Sequence, residues 1–189
     1  MNSSPLKLLF LCLFSLTVLV AASPVPPPPP RIIEMKGEID QEMADRIIAD
    51  LALPGSVEIL INSPGGSVFA GLDIMDAIKA HQGPVVCRAF QLAASMAANI
   101  LVSCPSREAT PATIILFHSA SSGVRGQSPD LDNASSLLKA LSRALAYNSC
   151  LHIPGIPLDV CMENQAGIKE WWIASLDLLN IGGLDRIAK

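Results

Sequence analysis

The sequence predicts an α/β domain in which a mostly parallel sheet is flanked by helices. Two observations carry that prediction. From residue 31 onward, short apolar runs alternate with runs of helical period, and the connections between apolar runs are long enough to hold a helix. A third observation bounds it: the chain has 189 residues, 50% of them hydrophobic, which suits one core and is too little for two.

The elements follow in order. Arg31 to Ile39 reads as a strand ending at a turn. Asp40 then precedes apolar residues at Met43, Ala44, Ile47, Ile48 and Leu51, the spacing of one helical face, and Pro54-Gly55 stop that helix. Val57 to Ile61 is a short β-rich run of the kind buried in a parallel sheet, and it ends at Asn62. After Ser63-Pro64-Gly65-Gly66, the stretch Ala70 to Ala80 sets Leu72, Ile74, Met75 and Ile78 among charged positions and reads as a helix. Pro84 to Phe90 is a strand, Ala93 to Val102 a helix rich in small residues, and Ile114 to Phe117 a further strand. Leu131 to Tyr147 has a long helical period, and Trp171 to Leu179 reads as helix before Gly182-Gly183. No internal repeat is present.

The amino-terminal 30 residues have another character. Lys7 precedes an uncharged, Leu-rich run from Leu8 to Ala22, the layout of a secretory signal, and Val20 and Ala22 supply small residues for a cut before Ser23. The run is shorter than the roughly 20 residues needed to span a bilayer. Residues 1–22 are therefore expected to be a signal peptide, or a membrane anchor if uncleaved, and the protein is expected to be exported: periplasmic or secreted. Cys12 lies too early in the run for a lipoprotein cleavage site. Residues 23–30 form a linker, with six prolines between Pro24 and Pro30 that favour a semi-rigid extended spacer. Residues 31–189 form the domain.

Thirteen Lys and Arg are scattered along a chain of net charge −4, which excludes a nucleic-acid footprint. Past the signal, Cys87, Cys104, Cys150 and Cys161 would meet a compartment in which disulfides persist. Of three pairings, Cys87 with Cys104 and Cys150 with Cys161 is favoured, because the second pair closes a short Pro-containing loop. Buried free thiols are the other reading. The Cys and His positions match no zinc template, and neither a metal nor another cofactor is expected.

Three features lie at the ends of successive strands: Gly65-Gly66, Ser95 and His118. Strand ends of one sense open onto a shared crevice in an α/β sheet, so these distant residues can converge. Ser95, among Ala93, Ala94, Met96 and Ala97, can expose its hydroxyl where first-turn amides point at developing negative charge. A hydroxyl needs a base to become a nucleophile, and neutral imidazole suits that task near neutral pH, which makes His118 the candidate. Glycine at 65 and 66 lets a backbone amide approach a substrate carbonyl. Each feature has a plainer reading: a helix cap, a structural histidine, a turn. His81 and His152 read as surface residues, and Trp171-Trp172 as core or subunit contact.

Taken together, Ile61-Asn62-Ser63-Pro64-Gly65-Gly66-Ser67 with Ala70-Gly71, Ala93-Ala94-Ser95-Met96-Ala97, and His118 followed by Gly126-Gln127 and Asp130 resemble the proteolytic subunit of Clp protease, over about Ile33 to Ile187. That resemblance implies a crotonase-like α/β fold whose extra helix, Leu131 to Tyr147, protrudes to stack rings of subunits. It implies a serine endopeptidase with Ser95 as nucleophile, His118 as base and the amides of Gly66 and Met96 as oxyanion hole. It also implies a homo-oligomeric ring acting on peptides or unfolded proteins.

The chain departs from the family in two places. Counting back from Gly-Gly-Leu-Asp-Arg-Ile, the position usually held by Asp falls at Glu170, with Asp159, Glu163 and Asp177 as rivals for the third triad role. A signal and a proline tract also replace the loops of the family's axial entrance. Partnership with an unfolding ATPase is accordingly not expected, and cleavage should need no ATP. Two other functions compete. One is a membrane-associated signal-peptide-peptidase or NfeD-like peptidase that pairs Ser with Lys, for which Lys36, Lys79 and Lys139 are poorly placed. The other is a non-catalytic scaffold that keeps the fold. Crotonase-type acyl-CoA chemistry is a weaker option that leaves the Ser and His pair unexplained.

Overall fold

Apolar strands alternating with helices build one sheet in a computed structural model that describes residues 28–121, 127–167 and 170–188. The expected signal segment and most of the proline tract lie outside the described residues. The element order is β1 (Arg31–Lys36), α1 (Gln41–Leu51), β2 (Val57–Ser63), α2 (Val68–Ala80), β3 (Val85–Ala94), α3 (Met96–Ser103), β4 (Ser106–Ala109), β5 (Ile114–Phe117), α4 (Ser128–Cys150), α5 (Leu158–Ala166), β6 (Trp171–Ala174), α6 (Ser175–Asn180) and β7 (Arg186–Ile187). The main path of the sheet is β1-β2-β3-β4-β7, with β5 on β3 and β6 on β5. All described pairings are parallel except β5 with β6.

The core lies between sheet and helices. Ile33, Met35, Ile59, Ile61, Cys87 and Ala89 of β1, β2 and β3 are buried in one cluster with Ile47, Ile74 and Ile100 of α1, α2 and α3. Each such Ile side chain removed from water contributes about 1.5–3 kcal/mol. Local chemistry sets the helix starts. The Asp40 carboxylate accepts from the amide of Met43 at 2.8 Å, and Ser67 Oγ accepts from the amide of Ala70.

Strand β3 changes partners halfway along. Its first half pairs with β2 and β4 and its last three residues with β5. Between Ile61↔Ala89 and Ser63↔Ala93, β3 carries two extra residues opposite β2, and Gln91 there has φ +62°. The Gln91 side chain accepts from Asn62 at 2.6 Å, fixing the bulge. This bend carries the end of β3, and the residue after it, toward β5.

Several sequence expectations need correction. Ala93-Ala94 are the last residues of β3, so α3 begins at Met96. Trp171 to Ala174 is a strand, held by antiparallel pairing with β5, and only Ser175 onward is helical. Strands β4 and β7 and helix α5 were not foreseen. His81 and His152 are half-buried. The His81 ring bridges the carbonyls of Leu51 and Gly55, tying the end of α1 to that of α2. Among the described residues, no helix is long and apolar enough to cross a membrane.

The structure joins Cys87 of β3 to Cys104 at the end of α3, and Cys150 of α4 to Cys161 of α5. An ion-pair chain runs from Glu58 through Arg88 and the buried Glu108 to Arg186, fastening β2, β3, β4 and β7 together. Helix α4 buries Ser142, Ala146, Ser149 and Cys150 in its carboxyl-terminal half, while Leu131 and Leu137 nearer its start are exposed.

Candidate active site

Ser95 occupies the turn between β3 and α3 with φ +56° and ψ −122°. A non-glycine residue held there costs on the order of 1–3 kcal/mol, and the surrounding bonds must overrule it. They do so from both sides. The Ser95 amide donates to the Leu116 carbonyl of β5 at 2.8 Å, and the Ser95 carbonyl accepts from the amides of Ala98 and Asn99. Although Ser95 is the N-cap of α3, its side chain makes no capping bond. The hydroxyl is thus left for chemistry at a sharp strand-to-helix turn, the geometry that exposes a nucleophile.

Gly65 and Gly66 stand against this turn because no side chain keeps them away. Gly65 has φ +93°, and a Cβ on it would lie 2.6 Å from Ser95 Cβ and 3.0 Å from the Met96 amide nitrogen. Gly66 has φ +150°, and a Cβ there would overlap the Ile39 backbone. The segment is pinned to the loop after β1, since Ile39 N–H donates to Gly65 O at 2.8 Å and Ser67 N–H to Ile39 O at 2.7 Å. The amides of Gly66 and Met96 have no acceptor among the described residues. Two unpartnered amides beside a free hydroxyl can receive a developing oxyanion.

His118 follows β5 directly. Because Ala94 pairs with Leu116 and the Ser95 amide bonds Leu116 O, Ser95 and His118 leave the sheet at the same end. The imidazole Nδ1 lies 2.6 Å from the carbonyl oxygen of Ser119. A carbonyl can only accept, so Nδ1 is the donor there, and in the neutral ring that arrangement leaves the lone pair on Nε2, the tautomer a general base needs. The structure records no hydrogen bond between His118 and Ser95.

Glu170 sits one residue outside the last β5–β6 pair, Phe117↔Trp171, as His118 does on the other strand. Its carboxylate is exposed and accepts from the Trp172 indole N–H at 2.9 Å. Glu170 and His118 thus each adjoin the last β5–β6 pair, and the Glu170 side chain is bonded to Trp172. Of the rivals, Asp159 bonds the amide of Val160 in the first turn of α5, Glu163 faces the groove between α4 and α5, and Asp177 lies in the first turn of α6. Lys36 and Lys79 pair with Glu34 and Asp76, and Lys139 stands on exposed α4. Trp171 packs on Phe117 with ring centroids 5.4 Å apart, and Trp172 is exposed.

Beside Ser119, a groove of about 810 Å³ runs between α4 and α5, with Leu131, Leu138 and Met162 on its walls and Lys139 and Arg143 along it. One further residue escaped the sequence reading. Asn99 is the polar interruption in the otherwise apolar Met96–Val102, and its side chain donates to the Ser95 carbonyl at 2.9 Å. A lone polar residue in a buried apolar helix was the available signal. Among the described residues, no cluster of His, Cys, Asp or Glu could hold a metal ion.

A mostly parallel α/β sheet that presents a free serine hydroxyl, two open amides and a histidine at one end is an arrangement compatible with a serine hydrolase. Known proteins narrow that class. The family model described as Clp protease matches residues 29–153. The chain is 36% identical over 167 residues to the ATP-dependent Clp protease proteolytic subunit of Deinococcus radiodurans, covering 83% of this chain and 79% of that protein. It is 30% identical over 165 residues to proteolytic subunit 3 of Rhodococcus jostii, covering 83% and 80%, and 30% identical to proteolytic subunit 2 of Thermobifida fusca over the same length and shares. The chain belongs to the Clp protease family, and with it to the serine peptidases.

Proposed function

We propose that the protein is an endopeptidase of short or unfolded polypeptides in which Ser95 is the nucleophile and His118 the general base. In this reading Ser95 Oγ attacks the scissile carbonyl while His118 Nε2 takes its proton. The amides of Gly66 and Met96 hold the oxyanion. His118 then protonates the leaving amine, and a water activated by the same nitrogen releases the acyl group. The observation that carries the reading is the uncapped Ser95 hydroxyl at φ +56° beside two amides without acceptors. Glu170 would complete the triad by turning from Trp172 to the imidazole. The groove between α4 and α5 would hold a substrate side chain, and exposed Leu131, Leu137, Trp172 and Leu176 would be covered in a homo-oligomeric ring.

The relatives above are named as subunits of ATP-dependent proteases. We infer, from the signal-like segment and the proline tract in place of entrance loops, that the protein is exported, and an exported enzyme would meet no ATP and cleave without nucleotide. Two disulfides in one small domain fit an oxidising compartment. Export is checked by the intact mass of the processed protein, which should correspond to a start at Ser23. The activity is checked with fluorescently labelled, unfolded casein. The purified protein should cleave it without ATP, and Ser95→Ala should reduce the rate on the order of 10⁴-fold or more.

A non-catalytic scaffold is the second reading. The specific observation in its favour is that the His118 and Glu170 side chains bond Ser119 and Trp172 and not each other. Intact casein after incubation with folded, oligomeric wild type would support it.

A further inference from the structure

We propose that Asn99, held by Ser149 of α4, is a positioning residue that aims the Met96 amide of the oxyanion hole; the proposal rests on the reading of Ser95 as nucleophile. Asn99 is 5% exposed in a helix whose other residues from Met96 to Val102 are apolar. An amide buried without partners costs about 1–3 kcal/mol, so its presence calls for a compensating role. Both ends of this amide are satisfied. Nδ2 donates to the Ser95 carbonyl at 2.9 Å, and Oδ1 accepts from the Ser149 hydroxyl. Ser149 is fully buried and adjoins Cys150, which is bonded to Cys161 of α5.

The Ser95 carbonyl needs no third donor to satisfy it, since the backbone amides of Ala98 and Asn99 already reach it at 3.1 and 3.3 Å. What the side chain adds is direction. The carbonyl of Ser95 and the N–H of Met96 belong to one planar trans peptide and point in opposite senses. Holding the oxygen from within the core therefore fixes the N–H toward the substrate side. It also fixes ψ of Ser95, the angle that would change if the strained turn relaxed. A hydrogen bond to the carbonyl further polarises the peptide and strengthens its N–H as a donor. The contribution is to an oxyanion that exists only in the transition state, so its loss should slow the chemical step and leave binding alone.

The test is the inactivation kinetics of protein expressed from the full-length chain with a fluorophosphonate probe, separating the maximal rate constant from the probe's half-saturating concentration. Asn99→Asp keeps the shape and the acceptor for Ser149 but sets an acceptor against the Ser95 carbonyl. Asn99→Leu keeps the approximate volume and removes the donor. Asp should lower the maximal rate about 10–100-fold and Leu about 10-fold, less than outright loss of an oxyanion donor, with half-saturation within about 2-fold. Ser149→Ala should lower it about 3-fold through the loosened Asn99, and it keeps the test decisive should both Asn99 variants fail to fold. A merely structural Asn99 would lower the melting temperature and leave the maximal rate of the folded protein unchanged. Folded Asn99 variants reacting within 2-fold of a reactive wild type, or an unchanged Ser149→Ala when those do not fold, would overturn the inference alone. A folded wild type that is not labelled at Ser95 would overturn the nucleophile reading and the inference with it.

Discussion

The two halves of the site are built differently. The half that would hold the oxyanion is built from backbone that folding fixes: Ser95 hangs between Leu116 and α3, Gly65-Gly66 are pinned to Ile39, and Cys87–Cys104 closes the loop that contains the nucleophile. The half that would move the proton is half-exposed at the open end of the β5–β6 pair. There the histidine ring rests on its neighbour's carbonyl and the acid on an indole. The contrast teaches that backbone geometry, which stores strain, has to be set by folding. Side chains that need only rotate can be assembled later, when a neighbouring subunit or substrate arrives.

Substitutions on the two halves should therefore differ in size. Gly66→Ala drives a methyl into the Ile39 backbone and displaces the amide proposed to hold the oxyanion, so casein cleavage should fall about 10²–10³-fold while the folded domain persists. Glu170→Gln should cost far less, about 10-fold, because the Ser119 carbonyl already holds the His118 tautomer that an acid would otherwise select. A loss near 10⁴-fold would mean that the carboxylate orients the ring in the working enzyme.

The smallest effect lies away from the site. Burial, aided by Arg107 and Lys79, holds the His152 imidazole below its ordinary 6.5. Hydrogen bonds from Arg107 hold the Asp185 carboxyl below its ordinary 3.8. Both bind protons more readily in the unfolded chain, so their stabilisation is complete above those ordinary values. It is lost as the pH falls, His152's below 6.5 and Asp185's below 3.8. The melting temperature should drop by a few degrees between about pH 7 and about pH 5, and His152→Gln should flatten that drop.

Residue types alone made the elbow half legible. Small residues around Ser95 and paired glycines have few other uses, and their order along the chain matched that of a family. Its boundary was misplaced because alanine favours helix by itself, whereas Ala93-Ala94 are held in β3 by pairing with β5, a contact between distant segments. The same non-local pairing makes Trp171–Ala174 a strand although its period runs smoothly into α6. Strand β4 reads Ser-Arg-Glu-Ala and strand β7 has only two residues, so neither carries an apolar pattern. Glu170 could be reached only by counting from the chain's end. Its hydrogen bond to Trp172 is a matter of rotamer, which no spacing encodes.

The most direct test of this account is a crystal structure of the protein labelled with a fluorophosphonate. Phosphorus should be bonded to Ser95 Oγ and the phosphonyl oxygen should lie within hydrogen-bonding distance of the Gly66 and Met96 amides. The backbone at 65–66 and 95–96 should be unmoved, and any rearrangement should be confined to the His118 and Glu170 side chains. An adduct on another serine, or an oxyanion site that forms only when the Ser95 turn is rebuilt, would contradict it.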